Sequence, residues 1–280
     1  MKKGFIVVNA YTNSATEMNQ PIRLKEELEQ LGVRVDILRN SPSVLNAEGD
    51  FCVYLDKDKY AAQLLERRLR LFNRAKAIEI CDDKMLTHLA LEGFPMPETI
   101  PSLLCYSPSQ PVSKELLVRA EERLGYPLVV KECFGSLGKQ VYLIKNRSEL
   151  VGKAEALKLK PHLYQKFVSE SAGKDLRVIV VGGKAVAAMK RISSQDFRSN
   201  AELGGRGERY DLNGETAALC EAVAERIGLD YCGIDLLFGE NGFLVCEVNS
   251  NAFFGTIEKV TGFNVAKAYA EWIYQMIYKN

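Results

Sequence analysis

Charge of one sign is what this sequence lacks most clearly: 37 Lys and Arg stand against 36 Asp and Glu, a formal net charge of +1 over 280 residues. Such a balance gives no long-range field for a polyanion, so nucleic acid is not an expected partner and any anion site has to be local. Histidine is scarce, and neither His88 nor His162 sits in a pattern from which a catalytic triad can be assembled. A lone histidine of that kind is more often a satisfied or exposed side chain. The seven cysteines form no Cys-x-x-Cys pair, and an odd number set mostly in apolar runs fits poorly with a secreted disulfide framework. Cys133 lies near Lys131 but has no histidine nearby in sequence to make it a nucleophile. No apolar stretch reaches the roughly 20 residues of a membrane helix. The run at 4–8 after Met1-Lys2-Lys3 ends at Asn9, too short for a secretory leader. A reducing cytoplasm, with no membrane partner, is the expected setting. Glycine fingerprints are missing as well: the first domain has no Gly-x-Gly-x-x-Gly turn, and no glycine precedes Lys-Ser or Lys-Thr, which excludes a Walker A loop.

With 47% hydrophobic and 26% charged residues the chain can bury a full core, and its length suggests about two domains. Residues 4–8 suit a buried parallel strand, Asn19-Gln20-Pro21 opens a helix that stops at Leu31-Gly32, and 33–38 reads as the next strand. With apolar pieces at 51–54 and 77–80 around a helical stretch at 59–72, residues 1–80 read as a small βαβ-type domain with a parallel sheet. Asp82 caps a helix over 83–91, and a non-helical connector holding Pro95, Pro97, Pro101, Pro108 and Pro111 follows. A helix over 113–124, strands at 128–133 and 141–144 around Gly135-Ser136-Leu137-Gly138, and a helix from Ser148 come next. From Leu163 the pattern turns β, with strands at 163–168, 176–181 and 185–189, the last two joined at Gly182-Gly183. A polar irregular stretch at 192–209, a helix over 214–227, strands at 233–238 and 243–248 and a helix over 265–277 complete an α/β chain. In that last helix Tyr269, Trp272, Ile273 and Met276 recur at helical spacing, which marks core.

Asp235 and Glu247 flank the turn at 239–242, and a two-residue turn would put them out of phase. A three-residue loop, Glu240-Asn241-Gly242 with Gly242 left-handed, pairs Gly239 with Phe243 and so Asp235 with Glu247. Strand alternation brings Asn249 to the same face. Isolated strand carboxylates usually face solvent, but these are embedded in apolar flanks, where unpaired charge is costly without a cation. Mg²⁺ suits such a sparse set of hard oxygens, since it keeps positions for water and phosphate.

Lys131 is the sole cation of the strand before the glycine loop, placed to add a point charge where loop N–H groups of Gly135, Ser136 and Gly138 can meet phosphate. Alone, a two-glycine hairpin loop is more often only a turn. Arg191 and Arg198, with Asn200 after them, can clamp a transferring phosphate, although a solvated loop is the default for such a segment. The basic run from Glu66 to Arg74 can attract an acidic acceptor, but a helix with a solvated basic face is the plainer reading.

Taken in order, these residues resemble the RimK-like branch of the ATP-grasp ligases. Cys81-Asp82-Asp83-Lys84-Met85-Leu86-Thr87 and Gly93-Phe94-Pro95-Met96-Pro97-Glu98-Thr99 are similar to the opening of that family's central domain. By the resemblance, Lys84 and Lys131 are nucleotide lysines, and Leu163 to Val168 is the hinge whose Lys166, Phe167 and Val168 backbone meets adenine. Asp175, Arg198 and Asn200 match ATP-site positions, and Asp235, Glu247 and Asn249 match metal ligands. Three departures stand out: Gln140 replaces a further loop glycine, Lys166 an acidic hinge residue, and Ser250-Asn251-Ala252-Phe253-Phe254-Gly255 follows where Ala-Ser-Pro-Gly is usual.

The resemblance implies a small parallel-sheet domain over 1–80 followed by a two-lobed ATP-grasp module, a central lobe at 81–168 and a metal-bearing lobe at 169–280. It also implies ATP with two Mg²⁺ ions, for which Mn²⁺ can substitute. Arg191 and Arg198 would stabilise the transferring phosphoryl group. The expected reaction activates a carboxylate as an acyl phosphate and joins it to an amine. The expected amine is an amino acid, glutamate among them, and the acceptor a peptide, a protein carboxyl terminus or a small coenzyme. A homo-oligomer is implied too. A kinase on the same fold and a nucleotide-binding protein without turnover are the competing classes; the second is disfavoured because all three metal positions are filled.

Overall fold

The computed structural model describes residues 2–136, 138–199 and 206–279. The chain begins with β1 (Lys3–Val8), α1 (Ala15–Gln30), β2 (Arg34–Arg39), β3 (Phe51–Leu55), α2 (Lys59–Glu66) and β4 (Arg70–Phe72). The strands form a parallel sheet ordered β2-β1-β3-β4, and both central strands, β1 beyond Lys3 and the whole of β3, are buried because both faces are covered. Helix α1 starts earlier than expected, in a capping box where Ser14 and Glu17 satisfy each other's backbone N–H, and Pro21 lies inside it. Residues 77–80 are helical and not a strand; the fourth strand is Arg70–Phe72, inside the basic run. Arg70 packs on the Phe72 ring and pairs with Asp230 at 3.3 Å, so this run is not a helical basic face.

Next come α3 (Ala75–Asp82) and α4 (Lys84–Ala90). Asp83, not Asp82, caps α4, while Asp82 pairs with Lys57 at 3.2 Å. The proline-rich connector contains a short edge strand, β5 (Thr99–Pro101), followed by α5 (Lys114–Leu124), β6 (Leu128–Glu132), β7 (Val141–Ile144), α6 (Arg147–Leu157) and β8 (His162–Lys166). These make an antiparallel sheet ordered β5-β8-β6-β7, and Pro101 is tolerated because β5 is at the edge.

The third sheet is built from β9 (Lys174–Val181), β10 (Lys184–Ile192), β11 (Arg206–Arg209), β12 (Tyr231–Gly239) and β13 (Gly242–Asn249), ordered β11-β10-β9-β12-β13. Strand β11 lies within the stretch expected to be irregular. Helix α7 (Gly214–Ile227) covers one face, and α8 (Gly255–Thr261), which no periodicity announced, and α9 (Val265–Tyr278) follow. One apolar cluster runs from Ile6, Val53 and Phe72 of the first sheet to Ile179, Tyr231, Tyr269 and Ile273, locking the first and third sheets together. Trp272 is half-buried, covers Gly182 and donates to Asp230 at 2.9 Å. Among the described residues no helix is long and apolar enough to cross a membrane.

Candidate active site

The β12–β13 hairpin corrects the expected register. Gly239 pairs with Gly242, so the turn has two residues, not three. Phe238 then faces Phe243 and Leu236 faces Val245, a phase that would place Glu247 on the wrong side. A bulge at Cys246 adds one residue to β13, and beyond it Asp235 pairs with Glu247 and Gly233 with Asn249. Consecutive residues Cys246 and Glu247 therefore both line one cavity.

Asp235 is 4% exposed and is gripped from two strands. Arg177 on β9 donates to both of its carboxylate oxygens at 2.7 Å, and Arg191 on β10 reaches Oδ2 at 2.9 Å. The same Arg191 guanidinium donates to Asp175 at 2.7 and 2.5 Å. Burial alone would raise the Asp235 pKa, but Arg177 and Arg191 outweigh it and hold the carboxyl below its ordinary range. Arg191 thus sits on a regular strand and not on an irregular segment, and bridges two carboxylates there.

The donor set fits a hard divalent cation. The Asp235 Oδ1 atom receives a single N–H and keeps a lone pair. Glu247 has Lys84 Nζ at 3.7 Å as an ion-pair partner, and the Asn249 amide nitrogen is buried with no partner among the described residues. Among the described residues no three His, Cys, Asp or Glu side chains cluster closely enough to hold a metal ion.

A cavity of about 120 Å³ gathers the remaining expected residues. Lys84, Lys131, Gly135, Ser136, Gly138, Lys166, Phe167, Val168, Asp175, Arg191, Arg198, Asp235 and Glu247 all line it. Asn249 does not, and Asn200 lies outside the described residues. The glycine loop is tied down at both ends: Lys84 Nζ donates to the Gly135 carbonyl at 3.1 Å, and Arg198 donates to the Gly138 carbonyl. Asp196 orients Arg198 with two contacts at 2.8 Å. Phe167 and Phe197 meet edge-on across the mouth, an apolar wall of the kind that suits a flat aromatic base. Cys246, 3.5 Å from Lys131 Nζ, was missed because strand alternation hides it unless the bulge is known.

A second cavity of about 460 Å³ adjoins the first and shares Ser136, Arg191 and Glu247 with it. Its walls include Asn9, Gln20, Lys57, Arg177, Asn249 and Asn251. Asn9 follows β1 and Lys57 lies just past β3, the carboxyl ends of parallel strands where ligands bind in open α/β sheets. That topological rule was the one signal that could have found them. Elsewhere, His162 is buried and satisfied by the Lys160 carbonyl and Tyr164 hydroxyl, and burial pushes the Cys133 thiol up to about 11, away from nucleophilic use.

The RimK-like ATP-grasp domain matches residues 82–273. N-acetylaspartylglutamate synthase A of Homo sapiens is 36% identical over 231 residues, covering 80% of this chain and 58% of that protein. Beta-citrylglutamate synthase B of Danio rerio is 30% identical over 278 residues, 98% of this chain and 65% of that protein, so the chain spans less than two thirds of both relatives. The solved RimK domain ATP-grasp protein from Sphaerobacter thermophilus superposes with a TM-score of 0.70 at 23% identity, covering 97% of this chain and 99% of that one. With the match spanning the second and third sheets and the cavity between them, the chain belongs to the RimK-like ATP-grasp family.

Proposed function

We propose that the chain is an ATP-dependent ligase that activates a carboxylate as an acyl phosphate and joins it to the amine of an amino acid, with glutamate the leading candidate. One observation carries this reading: the nucleotide-type cavity and the second, polar cavity meet at Arg191 and Glu247. A reaction that passes a phosphoryl group from a nucleotide to a separate acceptor needs such a junction. The names of the relatives, which carry a glutamate unit joined to N-acetylaspartate or to citrate, support the acceptor being a small carboxylate.

In this reading Lys166, Phe167 and Val168 hold adenine, while Lys84, Lys131 and the loop from Gly135 to Gly138 hold the phosphates. Asp235, Glu247 and Asn249 hold two Mg²⁺ ions, for which Mn²⁺ can substitute, and these supply charge neutralisation on the phosphate oxygens. An acceptor carboxylate oxygen attacks the γ-phosphorus and ADP leaves; the amine nitrogen then attacks the acyl carbon and phosphate leaves. Arg191, held between Asp175 and Asp235, offers positive charge at the junction, and Arg198 keeps the loop closed so that water does not reach the acyl phosphate. The test is incubation with ATP, Mg²⁺, glutamate and small carboxylate acceptors, followed by acceptor mass and nucleotide products. An amide adduct with ADP and phosphate is expected; a stable phosphoryl adduct formed without an amine would establish a kinase instead.

A further inference from the structure

We infer that Gln20 determines specificity in the second cavity by accepting a hydrogen bond from a hydroxyl or amide N–H that the acceptor carries away from its reacting carboxylate. The inference rests on placing the acceptor in that cavity. Gln20 projects from the second turn of α1, is 3% exposed and lines the cavity. Asn251 Nδ2 donates to the Leu55 carbonyl at 2.9 Å. A carbonyl only accepts, so this contact decides which end of the Asn251 amide carries the oxygen. That oxygen accepts from Gln20 Nε2 at 3.2 Å, which in turn orients the Gln20 amide. The relay leaves Gln20 Oε1 buried with no donor among the described residues. Native proteins rarely keep such an acceptor unless a ligand or water completes it.

The chemistry of the occupant follows from the rest of the wall. Arg177, Arg206 and Lys57 line the cavity and can only donate; each already pairs with one carboxylate, of Asp235, Glu208 and Asp82 respectively, and the N–H groups left over suit further oxygen acceptors such as carboxylates. Of the acidic groups of the same wall, Glu247 stands at the junction beside Lys84, and the other two are engaged within the protein. Asp56 accepts from Asn9, Asn40 and the Lys57 amide, and Glu17 from Ser14. A ligand with carboxylates alone would answer the cations and leave Gln20 Oε1 unpaired, whereas one that adds an O–H or N–H answers both. Asn251 lies two residues beyond Asn249 and four beyond Glu247, and lines the same cavity as both. It also lies in Ser250–Gly255, the segment that departs from the usual ATP-grasp pattern.

Calorimetric titration of the full chain, with Mg²⁺ and a non-hydrolysable ATP analogue present, tests this with two ligand pairs. Citrate is compared with tricarballylate, and malate with succinate, each pair differing by one hydroxyl. The hydroxylated member is expected to bind about tenfold more tightly. Gln20→Met, close in size, should abolish that preference while leaving affinity for the ATP analogue unchanged. Asn251→Ala, which frees the Gln20 amide to turn, should weaken the preference and serves if the methionine variant does not fold. No preference in the wild type, an equal preference in the variants, or no binding by any of the four acids overturns the inference. Failure of the ligase reading shows separately, as a hydroxyl preference in binding with no amide product.

Discussion

Asp235 stands opposite Glu247 although the turn between their strands holds only Glu240 and Asn241, because the bulge at Cys246 restores the phase that the turn loses. The two carboxylates have different environments. Asp235 is enclosed by guanidinium groups, while Glu247 is part-exposed at the junction of the two cavities. They are therefore expected to fail differently when changed.

Glu247→Gln keeps the bulk of the side chain and removes the charge. Turnover should fall by at least about a hundredfold, the scale of losing a preorganised electrostatic contact. Thermal unfolding should be nearly unchanged. Steady-state kinetics and a melting curve on the same preparation check both, and full activity in this variant would remove Glu247 from the chemistry.

Arg177→Met leaves the buried Asp235 carboxylate short of its bidentate partner. The expected destabilisation is about 3–5 kcal/mol, most of it from the uncompensated charge. Adding Asp235→Asn should recover a large part of that loss in urea unfolding. Strictly additive effects of the two changes would show that the pair is not coupled.

Arg198→Lys keeps the charge but lacks the planar fork that engages Asp196 and the Gly138 carbonyl together. The glycine loop should open, with KM for ATP rising about tenfold and proteolytic cleavage at the loop becoming faster, the cleavage being relieved by saturating nucleotide. Unaltered KM and cleavage would remove the tether.

His162 gives a pH dependence of known sign. Burial lowers its pKa from the ordinary 6.5, against opposing contacts with the Lys160 carbonyl and Glu132. Above 6.5 the ring is neutral in both folded and unfolded chains, so it adds no pH dependence. As pH falls below that value the unfolded chain binds the proton first, and stability declines until the folded pKa is passed. Urea midpoints at about pH 7.5 and about pH 5.5 should differ less in His162→Gln than in the wild type.

The sequence was most informative where local chemistry and long-range position agreed. Lys131 and Glu247 were legible as charged residues set in apolar strands, Lys84 and Asp175 only through the resemblance of their segments to the RimK-like pattern, and all four reach one cavity. The bulge was not legible, since a two-residue turn plus one extra residue produces the same pairing as a three-residue turn. Pro21 misplaced the start of α1 because proline favours first turns, while the capping box of Ser14 and Glu17 outweighed that preference. The partners of Asp235 were hidden for a different reason: Arg177 and Arg191 lie on separate strands, and only sheet order β10-β9-β12 brings them to it. Gln20 and Asn251 are 231 residues apart, beyond any local pattern.

The central claim, carboxylate activation at the junction of two cavities, is tested most directly by isotope transfer. An acceptor labelled with ¹⁸O in its carboxylates is turned over with ATP, Mg²⁺ and glutamate, and the released phosphate is analysed by mass. An acyl phosphate pathway predicts one ¹⁸O in each phosphate released with the amide product. Amide formation with unlabelled phosphate, or label retained in a stable phosphoryl adduct, would contradict it.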